Sequence, residues 1–148
     1  MADEKVAEKQ PNMIPIKDGL FTMPLTSPEQ VRLVGSRCRL CSEVSLGTCM
    51  ACPNCVGEDM EIIPLDRRGK LWSYTVIRNR PPGDYKGPDP FIPFGLGLVE
   101  LPEGIRVVAP IAGDVDELKV GMELELEVYN LYQNEEGSDV MAFRFNPV

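Results

Sequence analysis

The chain contains no histidine. That absence excludes Ser-His-Asp and Cys-His nucleophiles, His-ligated zinc, a haem held by an axial imidazole and any imidazole base. An excess of positive charge is also missing. Acidic side chains number 23 against 15 basic ones, a net charge of −8 with pI near 4.6. A dedicated nucleic-acid binder, which needs a basic surface for phosphates, is disfavoured on that ground. No stretch approaches the roughly 20 apolar residues that span a bilayer. The charged start MADEKVAEKQ has no apolar signal core, so the expectation is an unprocessed, soluble, cytoplasmic chain. With 148 residues, 43% of them apolar, it has enough material for one domain, or for a small module joined to another.

Five cysteines stand against these absences. In a reducing compartment, they read as metal ligands rather than disulfides. Cys38-Arg-Leu-Cys41 and Cys52-Pro-Asn-Cys55 form two CxxC knuckles, and four thiolates are what a structural tetrahedral zinc site uses. Gly57 after the second knuckle suits a tight ribbon turn. Iron in a rubredoxin-like redox centre uses the same cage, and buried thiols without metal are a further alternative. Cys49-Met-Ala-Cys52 is a competing register. The turn-forming Pro-Asn pair favours Cys52 and Cys55. Cys49 is then a spare thiol with no base to activate it.

The fold class expected is all-β, a zinc ribbon followed by a five-stranded OB-type barrel. Residues 1–35 read as an N-terminal extension, 36–63 as the ribbon and 64–148 as the OB-fold domain. Within the extension, residues 1 to about 12 are polar and mobile, whereas Met13–Met23 is too apolar for an idle linker. Ser27-Pro28-Glu29-Gln30 predicts a short capped helix ended by Gly35. Period-two patterning predicts strands over Lys70–Arg78, Phe94–Glu100, Ile105–Ile111, Met122–Tyr129 and Val140–Phe145. A short helix is expected over Asp114–Val120. That order fits an OB barrel, with an SH3-like barrel or sandwich as the alternative.

Between the first two barrel strands runs a loop, Asn79–Pro93, with five prolines, carrying Tyr85 and Phe91, with Phe94 just beyond. Loops this long in compact domains tend to be functional, and proline lowers the entropy of holding one shape. Charge is uneven too. Arg67–Lys86 holds six bases against Asp84 alone, while Val99 to the end holds eleven acids against three bases. The basic stretch suits a phosphorylated ligand or an acidic partner face. An ordinary solvated face is the plainer reading.

Gly35-Ser-Arg-Cys-Arg-Leu-Cys41, Cys52-Pro-Asn-Cys55 and Gly69-Lys-Leu-Trp-Ser-Tyr-Thr-Val76 resemble the acyl-CoA-associated OB-fold proteins with a rubredoxin-like zinc ribbon. Pro93–Gly104, Leu118–Met122 and Phe143-Arg-Phe145 extend the resemblance over residues 16 to 146. Leu46-Gly-Thr-Cys49 replaces a common Phe-Pro-Pro-Arg segment, and Val56 stands where the second knuckle usually has glycine. The resemblance implies a non-catalytic subunit of a CoA-dependent thiolase complex, docked on a thiolase-fold catalytic partner and shaping the acyl-CoA site. The loop and extension look most like partners of thiolases for aromatic acyl-CoA intermediates. Structural Zn2+ on Cys38, Cys41, Cys52 and Cys55 is implied, with CoA or acyl-CoA at the interface. Trp72, Tyr74, Arg78, Arg80, Tyr85, Phe91 and Phe94 are the candidates for partner or ligand contact, although Trp72 and Tyr74 also suit a core face. An electron carrier and an OB-fold nucleic-acid module are the alternatives.

Overall fold

A computed structural model describes residues 12–148, so the polar tail expected over the first residues lies, up to position 11, outside the described part. The described chain is all-β, with nine strands and two single 3₁₀ turns. β1 (Met13–Pro15) is followed by a small antiparallel sheet of β2 (Val34–Cys38), β3 (Val44–Leu46) and β4 (Met60–Pro64), in the order β3-β2-β4. β5 (Arg68–Ile77), β6 (Phe94–Glu100), β7 (Arg106–Ile111), β8 (Glu123–Gln133) and β9 (Asp139–Pro147) form a closed five-stranded barrel. A parallel contact, Ile111 with Phe145, closes β7 onto β9, and β8 joins both β5 and β9.

Alternation builds the core. Leu124, Leu126 and Val128 of β8 face inward with Phe145 of β9, while the intervening glutamates face out. Leu71, Val99, Val107, Ala109 and Ile111 complete the interior. Space there is tight: a Cβ on Gly97 would come within 2.6 Å of Leu71 and 3.1 Å of Ile111, so only glycine fits.

Both expected helices shrink to one turn. Ser27 makes no side-chain cap, and the turn ends after Pro28–Gln30. Beyond it burial alternates: Val31 and Leu33 are inside and Arg32 outside, and Leu33 bridges to Phe21. Strand pairing therefore wins, and Gly35 lies within β2 rather than ending a helix. At Asp114 the carboxylate accepts the Asp116 N–H at 2.9 Å, but the turn covers only Val115–Glu117. Leu118 is that segment's one buried anchor, too little apolar surface for a longer helix. The Met13–Met23 segment packs on its own chain, with Leu20 and Phe21 buried and β1 added in parallel to β9.

Arg67 joins these parts. Its side chain is 17% exposed, and its guanidinium donates to the carbonyls of Pro28, Val31 and Leu126, the last at 2.7 Å. One cation thus holds the N-terminal segment against β8. We expect Arg67→Met to cost about 2–4 kcal/mol, because the carbonyls of two buried residues, Val31 and Leu126, and that of half-buried Pro28 lose a charged donor. Lysine, a point charge without the planar fork, should recover less than half in denaturant unfolding. On the barrel exterior, Glu127 accepts from Arg144 at 2.7 Å and from Asn146 at 2.9 Å. The Arg144 bond, helped by Asn146 and opposed by burial, lowers its pKa from the ordinary 4.5. A lowered carboxylate stabilises above its ordinary pKa, and the gain disappears as pH falls through the folded value. Unfolding free energies of the native chain and Glu127→Gln should therefore differ by up to about 1 kcal/mol at pH 7 and converge below about pH 4.

Candidate functional site

The small sheet brings the two knuckles together. Cys38 ends β2, and Cys41 follows in the turn toward β3; Cys52 and Cys55 lie between β3 and β4. The four sulfurs lie within 4.8 Å of one another, with Cys38–Cys55 at 3.5 Å and Cys41–Cys52 at 3.6 Å. Four ligands about 2.3 Å from one tetrahedral ion stand about 3.8 Å apart, so the set can hold such an ion. Cys49 is outside the set: it is half-buried, and its N–H is given to Ser36.

Each knuckle supplies N–H donors to its own sulfurs. Leu40 N–H points at Cys38 Sγ (3.4 Å), and the N–H groups of Asn54 and Cys55 point at Cys52 Sγ (3.3 and 3.4 Å). The Asn54 side-chain amide also reaches Cys41 Sγ at 3.6 Å. That amide, followed by the Glu43 N–H, holds the Cys41 thiol down to about 6. For Cys55 the Gly57 N–H acts to lower the value, but hydrogen bonds with Cys38 and Cys41 prevail and push it up to about 12.

The glycine expectation at the second knuckle needs correcting. The left-handed residue is Val56 (φ 64°), matched in the first knuckle by Ser42 (φ 69°), whereas Gly57 has no positive φ. Gly57 instead lets Leu40 pack close: a Cβ there would come within 2.5 Å of the leucine's methyl group and displace it. Sequence reasoning passed over Ser36. It is fully buried, donates to the Gly47 carbonyl at 2.7 Å and accepts the Cys49 N–H at 2.9 Å, pinning the segment that leads to Cys52 onto β2. A buried-position serine two residues before Cys38 was its only signal.

The other predicted residues form two groups. Trp72 and Tyr74 are not core: they are 47% and 38% exposed. A bulge between Leu71 and Ser73 breaks the alternation that suggested a shared buried face. Arg106, paired with Glu100, stacks over Trp72 at 4.0 Å, and the Tyr74 hydroxyl donates to the Leu118 carbonyl at 3.2 Å. A shallow groove of about 230 Å³ opens beside them, lined by Ser73, Thr75, Leu96, Leu98 and Val108. Tyr85, Phe91 and Phe94 gather at the far end of the β5–β6 ladder, with centroids 5.9–6.4 Å apart and Arg80 5.4 Å from Tyr85. Lys86 ties this loop to β8 through Tyr132, at 4.6 Å.

Half of the basic stretch, Arg67, Arg68 and Lys86, is spent on internal ion pairs, as are two arginines of the ribbon. Arg37 and Arg39 pair with Glu61 and Asp59, Arg68 with Glu125, and Lys86 with Asp84. Among the described residues, Arg32, Lys70, Arg78 and Arg80 form no ion pair. None of the described helical turns is long and apolar enough to cross a membrane.

The family model described as the C-terminal OB-fold domain of ChsH2 matches residues 63–128. A benzoylsuccinyl-CoA thiolase subunit BbsA of Thauera aromatica is 31% identical over 97% of this chain and 100% of its own. The BbsA subunit of Geobacter metallireducens is 30% identical over 98% and 94%. A solved Ltp2-ChsH2(DUF35) aldolase superposes with a TM-score of 0.60 and 28% identity, over 78% of this chain and 84% of the other.

Replacing Ser36 with alanine strands a buried carbonyl and a buried N–H, so we expect a loss of about 1–3 kcal/mol in chemical denaturation. Metal release to a chelator should quicken in the same variant.

Proposed function

The chain belongs to the DUF35 family of ribbon and OB-fold proteins that includes the BbsA thiolase subunits, and from that membership we propose that it is a zinc-containing, non-catalytic subunit of a CoA-dependent thiolase complex. It docks on a thiolase-fold catalytic subunit and shapes the acyl-CoA site. The observation that carries this reading is full-length similarity to subunits named for such an enzyme, together with four converging sulfurs.

Zinc on Cys38, Cys41, Cys52 and Cys55 would tie together the ribbon, residues 36–63, which we place between an extension, residues 1–35, and the OB-fold domain, residues 64–148, and would fix it against the partner. The chemistry belongs to the partner, since thiolase chemistry uses a nucleophilic cysteine with imidazole help and this chain has no imidazole. Trp72 and Tyr74 on one side, and Arg78, Arg80, Tyr85, Phe91 and Phe94 on the other, are the surfaces for partner or CoA. Free arginines suit CoA phosphates, and exposed rings suit adenine or an aromatic acyl group. An aromatic acyl-CoA, of the kind formed in aromatic degradation, is the substrate class we favour, in the cytoplasm where CoA is used.

Affinity purification at native expression should bring down a thiolase-sized companion and about one zinc per chain, without visible absorption. A chain that elutes alone and red with iron–thiolate bands would turn the reading to the electron carrier. Tight, salt-dependent binding to single-stranded DNA would turn it to the nucleic-acid module.

A further inference from the structure

The two knuckles are related by a local repeat. In each, the third residue gives its N–H to the first cysteine: Leu40 to Cys38, and Asn54 to Cys52. In each, a left-handed residue follows the second cysteine, Ser42 and Val56. The second cysteines, Cys41 and Cys55, are the exposed pair, whereas Cys38 and Cys52 are buried. The repeat breaks at the side chains of its third residues. Leu40 lies over Gly57, next to Cys55, with nothing to donate. Asn54 reaches across to Cys41 and places its amide Nδ2 3.6 Å from the sulfur.

We propose that Asn54 is a positioning residue of the metal centre. Its amide holds and quiets the Cys41 thiolate, leaving Cys55 as the reactive outer sulfur. A hydrogen bond to a thiolate withdraws the electron density on which nucleophilic attack depends, and a charged acceptor makes it stronger than a neutral one. Each outer sulfur has a backbone N–H, from Glu43 or Gly57, but only Cys41 has a side-chain donor, since Leu40 offers Cys55 an apolar cover alone. Asymmetry of this kind sets the order in which the site opens. An electrophile or oxidant meeting the loaded ribbon attacks Cys55 first, and Cys41 keeps its hold on the ion.

This inference rests on the metal reading above, and metal content measured on the same samples separates the two. Zinc-loaded full-length chain is treated with iodoacetamide, and the rate at each cysteine is followed by mass spectrometry. In the native chain Cys55 should react at least several-fold faster than Cys41. Asn54→Ala and Asn54→Leu should raise the Cys41 rate at least threefold and leave Cys55 unchanged, and cobalt-substituted samples should show a shifted sulfur-to-metal charge-transfer band. Leucine keeps the cover without the donor and copies position 40. A rise with alanine but not with leucine would mean that bulk, not donation, protects Cys41, and would overturn the proposal. Equal rates at Cys41 and Cys55 in the native chain would overturn it too, as would a uniform rise at all four cysteines. A native chain that holds no zinc overturns the metal reading instead.

Discussion

The fold depends on what Arg67 does with its guanidinium. Without that group, the carbonyls of Val31 and Leu126 would lose the donor that joins them, and the Pro28 carbonyl would keep only the long bond from the Val31 N–H at 3.3 Å. A guanidinium supplies several N–H groups in one plane and keeps its charge at any working pH, so a single side chain satisfies the junction. Arg67 also stands three residues after the end of the ribbon's last strand and two after Leu65, which is fully buried. The chain therefore passes from ribbon to barrel at the point where the N-terminal segment is clamped.

Much of the fold was legible because barrel strands carry period-two burial and turns carry glycine. Met122–Tyr129 is the clearest case, and its inward leucines are among the most buried residues. The helix at Ser27 was misread for a physical reason. Cap-like residues there signal only where a helix can begin, while the pairing of Leu33 with Phe21, twelve positions earlier, decides against continuing it. Trp72 was ambiguous because one bulge reverses every later side chain on its strand, and no composition signal marks a bulge.

The cysteine spacing made the candidate metal centre readable, but the groups around it were not. Ser36 acts through neighbours 11 and 13 residues away. Asn54 looked like a turn former, and its amide's target lies on the other knuckle. The basic stretch misled in the opposite direction. Sequence counts charges along the chain, whereas the folded chain sets Arg68 beside Glu125 and Arg39 beside Asp59. Of the cations left without an ion pair, Arg78 and Arg80 sit beside the aromatic loop, whereas Arg32 and Lys70 lie elsewhere on the surface.

The parallel pairing of β1 with β9 carries a consequence for how the molecule comes into being. Asn12 and Ser138 are hydrogen-bonded partners 126 positions apart, and Met13 to Pro15 find their mates only in Asp139 to Met141. During synthesis, the ribbon can gather its sulfurs as soon as Pro64 emerges, since all its strand pairs are local. The segment before it must wait until nearly the whole chain is made. Its apolar side chains, Met13 and Ile14 among them, spend that interval uncovered, and closing so long a loop is slow. The prolines at 15 and 24 punctuate this waiting stretch, and proline is what keeps a solvent-exposed apolar run from pairing with a neighbour's edge strand.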